Sequence, residues 1–264
     1  MFLYIWKLWI QVGPLFAMNA TNWFASWFDT EYYHKLYNKR DHSEAERFIN
    51  NIFEYLDLPK GSKVLDIACG KGRHAKAISE KGYNVVGTDL SPNSIEQANE
   101  MSNDQLAFFV QDMREPFKEN EFDAAFNFFT SFGYFQTEED NERAAKAMTN
   151  NLKSGGILLI DFVNKSHALA NIQANQKETQ ERGSLHFDIE RKFEEGRYLK
   201  NITVCDDEKC MQFQESLQSL TREDFESYFL PLGMQLEKTF GDYDLNEYRE
   251  SDSARLIMLF RKEK

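Results

Sequence analysis

The length, composition and charge of this chain favour one large globular domain with an elaboration, and they argue against a nucleic-acid surface. The 264 residues are 42% hydrophobic, which is ample for a core. Neutralising phosphates requires clustered Lys and Arg, but the net charge is −12 and the basic residues are scattered. The three cysteines, Cys69, Cys205 and Cys210, suggest neither a disulfide framework nor a metal site. We therefore expect a reduced, cytoplasmic setting.

About sixty residues precede the first predicted strand of the main sheet. Residues 1–17 include an apolar run that is too short to span a membrane and lacks a secretory pattern, so we expect no membrane association there. We interpret them as an extension without a structural role, with Met18 as the natural start. Residues 18–60 are rich in aromatics, and the spacing of Tyr33 and Tyr37 is typical of an amphipathic helix. We expect a helical lid there, in which these two tyrosines either line a substrate pocket or pack on the main domain.

Residues 64–67 form an apolar run that predicts a buried parallel strand, and it contains Asp66. Gly70 and Gly72 follow at once, which allows a tight turn and a close approach of a ligand to the backbone. A helix starting at this turn points its free amides at an anion. With Ala75 the spacing also fits the dinucleotide fingerprint, a weak signal on its own. The carboxylate at the strand end would repel a pyrophosphate and suits an ammonium group better, which disfavours NAD.

The next two predicted strands also end in aspartates. Residues 83–89 end in Asp89, about where a ribose-binding carboxylate is expected, and residues 106–112 end in Asp112. Parallel strands place their carboxyl ends on one edge of the sheet, so these side chains and Asp66 should lie close together. One such aspartate is usually a turn former, but three in register with a glycine turn indicate a binding site.

On these motifs the chain resembles the class I S-adenosylmethionine (SAM)-dependent methyltransferases, over roughly residues 45–165. The resemblance implies SAM as the cofactor and a set of positions that bind it. Those positions are Asp66, Ala68, Gly70, Gly72, Asp89, Leu90, Asp112, Met113 and Asn127. Many members of the family carry glycine at position 68, where this chain has alanine, which adds only a methyl group.

The resemblance also assigns a part of the cofactor to each position. The turn at residues 66–72 holds the methionine part, and Asp89 binds the ribose hydroxyls. Leu90 packs on the adenine, while Asp112 accepts a hydrogen bond from its amino group and the next residue's backbone lies beside the ring. Asn127, at the end of the fourth strand, lies near the methionine amino group. These assignments agree with the chemistry of SAM, which presents a carboxylate, an ammonium, ribose hydroxyls and an adenine edge.

The fold implied for residues 61–264 is an α/β three-layer αβα sandwich. Its seven-stranded sheet is mostly parallel with an antiparallel last strand, and residues 234–240 and 255–260 supply the sixth and seventh strands. Residues 185–219 alternate between apolar and polar side chains with turns between the runs. They predict a small antiparallel β insertion of three strands, which could cover the site or form a dimer interface.

The segment after the fourth strand lies where an acceptor would meet the methyl group. Phe132, Tyr134 and Phe135 are predicted to form a pocket wall together with Tyr33 and Tyr37, whereas the two phenylalanines before them are expected to pack in the core. The nearest candidates for a base are Tyr33, His34, His74 and Tyr134. The sequence does not choose among them, so the catalytic residue remains unknown.

The sequence thus predicts a SAM-dependent methyltransferase that acts on an unidentified small molecule and needs no metal. The chain lacks the Asn/Asp-Pro-Pro-aromatic and Pro-Cys motifs of enzymes that methylate DNA bases or pyrimidine carbons, and we expect no nucleic-acid partner. Two alternatives remain open, a SAM-binding regulatory protein without activity and an NAD-linked oxidoreductase. A protein or RNA substrate gains no support from the acidic balance. Either a monomer or a homodimer is consistent with the sequence.

Overall fold

The computed structural model describes residues 23–37, 42–206 and 209–264. The predicted extension at residues 1–17 and the proposed start at Met18 lie outside these ranges. Within them the chain forms a seven-stranded sheet and a separate four-stranded sheet. No helix in the described ranges is long and apolar enough to cross a membrane.

The strands and helices alternate along the first two thirds of the described chain, as expected for an α/β fold. The strands are β1 (Lys63–Ile67), β2 (Asn84–Asp89), β3 (Leu106–Val110), β4 (Phe122–Asn127), β5 (Leu152–Val163), β6 (Lys177–Arg182), β7 (Leu185–Glu194), β8 (Arg197–Cys205), β9 (Cys210–Gln218), β10 (Met234–Phe240) and β11 (Arg255–Lys262). The helices are α1 (Trp23–Phe28), α2 (Glu31–Leu36), α3 (His42–Leu56), α4 (Arg73–Ser79), α5 (Pro92–Asn99), α6 (Glu138–Asn151), α7 (Lys165–Ala174) and α8 (Arg222–Phe229).

The central sheet has the strand order β10-β11-β5-β4-β1-β2-β3. β11 is antiparallel to both of its neighbours, and the pairings among β1 to β5 are all parallel. The predicted sandwich with an antiparallel last strand is confirmed. β1 lies near the middle, so the carboxyl ends of β1, β2 and β4 meet at one edge, where ligands bind in such sheets.

Helices cover both faces of this sheet, and β5 shows why. Leu158, Ile160 and Phe162 belong to the core on one face, with α6 and α8, whereas Ile157 and Leu159 belong to the core on the other face, with α3, α4 and α5. Successive side chains of a strand point to opposite faces, so a strand covered on both sides is apolar along most of its covered length.

The four-stranded sheet, β6 to β9, is the predicted insertion, but it has one more strand than the expected three. The missed strand, β6, reads Lys-Glu-Thr-Gln-Glu-Arg and is an edge strand without an apolar face, so no hydrophobic alternation marks it. The expectation of no disulfide is also wrong. Cys205 and Cys210 face each other in the register of β8 and β9, with 4.1 Å between their Cα atoms, and they form a disulfide.

The predicted lid at residues 18–60 divides into two parts in the described chain. α3 belongs to the sandwich itself, since Phe48, Ile49 and Ile52 are buried in the core beside α4. Residues 23–37, with α1 and α2, instead pack on the face of the insertion, where the Trp27 and Phe213 rings lie 4.5 Å apart. The part that can cover the sheet edge is therefore α1 and α2.

Candidate active site

A cavity of about 450 Å³ opens at the carboxyl edge of the central sheet. Its wall combines the turn after β1, the ends of β2 and β4, the N-terminal helices α1 and α2, and one residue of β9. Ten of the residues predicted from the sequence line it. They are Tyr33, Tyr37, Ala68, Gly70, Asp89, Leu90, Asp112, Met113, Tyr134 and Phe135.

Four predicted residues do not line this cavity. Asp66 and Asn127 lie buried behind the turn, and Gly72 packs against the ring of Phe108. Phe132, expected in the pocket wall, is fully buried in the core against Phe225, with 5.4 Å between ring centroids. Phe132 follows the turn at the end of β4, and its ring points into the core. The prediction that it lines the pocket is therefore wrong.

The turn after β1 is built from residues with positive φ. Gly72 has φ 79°, and a Cβ there would lie 2.5 Å from Phe108, so only glycine fits. Gly70 has φ 55° with nothing within 4 Å of an added Cβ, which leaves its backbone open. Ala68 has φ 61°, a left-handed conformation that costs an L-residue about 1–2 kcal/mol. The alanine that departs from the family pattern thus occupies a strained position.

Asp89 ties this turn to the end of β2. Its carboxylate accepts hydrogen bonds from the Gly70 N–H at 2.8 Å and from the Ser91 N–H at 2.9 Å. Burial raises the pKa of Asp89, and these two amide donors oppose that shift. The carboxylate is therefore held in one orientation at the cavity wall, where its remaining lone pairs can accept hydrogen bonds from the hydroxyl groups of a ligand.

Two polar side chains behind the turn have buried atoms that lack hydrogen-bond partners among the described residues. Asp66 is 1% exposed, and its Oδ2 has no partner. Burial raises its pKa to about 8, so the carboxyl group is mostly protonated at neutral pH. The Asn127 Nδ2 donates to the Ile67 carbonyl at 3.0 Å, while its Oδ1 is unpartnered. Unsatisfied buried atoms in a native fold often mark a ligand or a water.

Asp112 is held by an arginine that the sequence reasoning missed. Arg114 binds the Asp112 carboxylate at 2.6 Å and also contacts Asp140 of α6 at 3.0 Å. Burial alone would raise the pKa of Asp112, but the Arg114 guanidinium holds it below its usual value. The basic residue two positions after the aspartate is the signal that could have revealed this pair.

A second strained turn follows β4. Phe129 and Thr130 both have φ 61°, and such outliers cluster at functional sites. The buried carboxylate of Asp161 accepts from the Phe129 N–H at 2.9 Å, and Arg255 binds the same carboxylate at 2.7 Å. Arg255 also donates to the Thr130 hydroxyl at 2.9 Å. This buried ion pair between β5 and β11 fixes the turn. Phe128 and Phe129, which were both expected to pack in the core, also line the cavity.

The N-terminal helices cover the cavity through two polar anchors. The Trp27 Nε1 donates to Glu215 of β9 at 2.9 Å, and the Tyr37 hydroxyl donates to the same carboxylate at 2.7 Å. On the opposite side, Asp29 accepts from the Ser91 hydroxyl at the start of α5. Residues 23–37 therefore bridge the insertion and the sandwich. Glu215 also lines the cavity, and no sequence motif predicts this position.

The two histidines named as candidate bases differ in their surroundings. His34 lines the cavity beside Lys71 of the glycine turn, and its buried Nε2 lacks a hydrogen-bond partner in the described chain. Burial, with a smaller effect of Lys71, lowers the pKa of His34 to about 4, so the imidazole is neutral at physiological pH. His74 is buried in the first turn of α4, and its ring lies 4.5 Å from that of Phe128.

Comparisons with known proteins agree with this geometry. Residues 64–156 match the family described as "Methyltransferase domain". The chain is 30% identical over 217 residues to "Putative methyltransferase YqeM" of Bacillus subtilis (strain 168), covering 78% of this chain and 87% of that protein. It is 33% identical over 143 residues to "Glycine/sarcosine N-methyltransferase" of Parasynechococcus marenigrum (strain WH8102), covering 50% of this chain and 48% of that protein.

Among solved structures, the fold is similar to an S-adenosylmethionine-dependent methyltransferase from Clostridium acetobutylicum ATCC 824. The TM-score is 0.73 at 20% identity, and the match covers 91% of this chain and 98% of that chain. At this identity the likeness concerns the fold, including the strand order that places the cavity.

Proposed function

This chain belongs to the SAM-dependent methyltransferases, and on that premise we propose that it methylates a small molecule held between the carboxyl edge of its sheet and the N-terminal helices. The observation that carries the proposal is the shared cavity. The glycine turn and Asp89 line one part, and the aromatic side chains of α1, α2 and the segment after β4 line the other. A relative named as a glycine/sarcosine N-methyltransferase supports a small acceptor.

The residues present fit SAM at its methionine end. Two of the unpartnered buried atoms described above lie there, Asp66 Oδ2 behind the turn and His34 Nε2 in the cavity wall. We propose that Asp66, with Asn127, receives the ammonium group, whose charge would favour the ionised carboxylate and oppose the effect of burial on its pKa. Lys71 and His34 would receive the carboxylate, for which a cation and an N–H donor are suitable partners. A volume of about 450 Å³ is within the usual range of small-molecule sites.

At the other end of the cofactor, the proposed contacts follow the predicted pattern. Asp89 would accept the ribose hydroxyls, Leu90 and Met113 would pack against the adenine, and Asp112 would accept from its amino group. The Asp112 carboxylate already accepts from the Arg114 backbone N–H and guanidinium, so the amino group would share its oxygens with these donors.

When bound, SAM supplies a methyl group on a positively charged sulfur, and the protein must align an acceptor opposite that sulfur and keep water out. Residues 23–37 would serve as the predicted lid, because their anchors hold them over the cavity. Burial and the neighbouring Glu215 raise the pKa of Tyr37 well above its usual value, so this phenol stays protonated and orients its partner. We assign no catalytic base.

The sequence left two alternatives open, an NAD-linked oxidoreductase and a regulatory protein without activity. Because the chain belongs to the methyltransferase family, we no longer hold either of them. The Cys205–Cys210 disulfide removes the argument from the cysteines for a reduced setting. A cytoplasmic location and a monomeric or homodimeric state remain predictions.

The proposal is tested by titrating the chain with SAM, S-adenosylhomocysteine and NAD in a calorimeter. We expect both adenosyl ligands to bind and NAD not to bind. Asp89→Ala should reduce SAM affinity by at least about 100-fold, since it removes a charged acceptor of two hydrogen bonds. Asp123→Ala, at the opposite end of the sheet, is the control and should bind normally. Near-normal SAM affinity in the Asp89 variant would refute the cofactor assignment.

A further inference from the structure

We infer that the methyl acceptor is a small amine whose nitrogen binds beside Glu215, within the ring of aromatic side chains that the lid closes. This inference rests on the proposed function and names the substrate class for it.

Glu215 differs from the other carboxylates of the cavity wall. Asp89 accepts from backbone amides at the glycine turn, and Asp112 is paired with Arg114. The Glu215 carboxylate takes its hydrogen bonds from two neutral donors, the Trp27 indole and the Tyr37 phenol. No ion pair within the described residues includes Glu215.

The cation opposite Glu215 in the sheet, Lys200, does not form an ion pair with it. Lys200 lies opposite Glu215 in the register of β8 and β9, but its ammonium donates to the Tyr37 hydroxyl. It also lies over the Tyr37 ring, 4.5 Å from the centroid, and it is not part of the cavity wall. The Tyr37 hydroxyl therefore bridges the two charges, accepting from Lys200 and donating to Glu215. A carboxylate that faces a cavity lined by rings is a site for a cationic group.

The rings next to Glu215 suit the same ligand. Tyr33 is 4.9 Å from Tyr37 and 5.0 Å from Phe28, and Phe28 is 5.0 Å from Tyr134, measured between ring centroids. All four line the cavity. Aromatic faces attract cations, and phenol oxygens accept N–H donors. An amine thus finds a carboxylate and π faces together, whereas a carboxylate ligand would be repelled here.

The chemistry of transfer to an amine also favours a carboxylate at this place. An amine that binds as an ammonium ion first releases one proton to water. The lone pair of the resulting neutral nitrogen then forms the new N–C bond as the C–S bond of SAM breaks, and the electron pair of the C–S bond stays on sulfur. The positive charge passes from sulfur to nitrogen, so no proton has to be removed in this step. The growing charge on nitrogen is stabilised by Glu215, which is already held in place by Trp27 and Tyr37.

The test compares amines with alcohols of the same shape on the full chain saturated with S-adenosylhomocysteine. The pairs are propan-2-amine and propan-2-ol, cyclohexylamine and cyclohexanol, and benzylamine and benzyl alcohol, titrated by calorimetry near neutral pH. We expect at least one amine to bind about tenfold more tightly than its alcohol. With SAM in place of the product, that amine should gain a methyl group on nitrogen by mass spectrometry.

Glu215→Gln keeps an oxygen acceptor for Trp27 and Tyr37 but removes the charge, so the preference for amines should disappear. Glu190→Gln, an exposed residue of β7, is the matched control and should keep it. Alcohols that bind as well as their amines in the unaltered chain, or a preference that survives Glu215→Gln, would overturn the inference. Failure of S-adenosylhomocysteine to bind in the first titration would instead contradict the proposed function itself.

Discussion

The stability of the Asp66→Asn variant, measured relative to the unaltered protein, should increase as the pH rises from acidic to alkaline values. Asp66 is 1% exposed, and burial raises its pKa from 3.8 to about 8. A carboxyl group whose pKa is raised by folding stabilises the native state only while protonated, so its contribution is lost as the pH rises from about 4 to about 8. From about pH 5 to about pH 8 this ionisation costs about 3–4 kcal/mol of unfolding free energy, which the amide does not lose.

The assay is urea unfolding of both proteins without ligand at about pH 5 and about pH 8. The stability of the variant relative to the unaltered chain should increase by about 3–4 kcal/mol between the two conditions. Asp123→Asn is the control. Burial would raise the pKa of Asp123, but hydrogen bonds from Lys153 and the Lys63 N–H hold it below its usual value, so its contribution is constant over this range. A pH-independent difference for Asp66→Asn would contradict the raised pKa of Asp66.

Four further variants test the turn and the lid. Ala68→Gly should raise the unfolding free energy by about 1 kcal/mol in urea titrations, because it relieves a left-handed backbone; a loss of stability would contradict this. Gly72→Ala forces a Cβ to within 2.5 Å of Phe108 and should cost about 3 kcal/mol. Gly70→Ala meets open space, so it should cost only the roughly 1–2 kcal/mol of a left-handed backbone and should mainly weaken SAM binding. Glu215→Ala leaves two donors without an acceptor, so limited proteolysis should cut the N-terminal helices faster, and unchanged protection would exclude the anchor.

Much of the fold could be predicted, and so could the sheet edge where we propose that the cofactor binds, because the signals for both are local in the chain. The parallel strands are short apolar runs, and the glycine turn and Asp89 follow directly at strand ends. The register of parallel strands then brings those ends together without any information from distant residues. The insertion was predicted for the same reason, apart from β6, whose polar side chains carry no alternation.

Local patterns along the chain therefore predict the sandwich and the sheet edge where we propose that SAM binds. Only the fold shows which distant side chains complete the site. Glu215 meets Trp27 across 188 positions, and Arg255 meets Thr130 across 125. It also decided that the Phe132 ring turns into the core instead of the pocket. Hydrophobic patterns report which face of an element is buried, but they do not report which partner from elsewhere in the chain buries it.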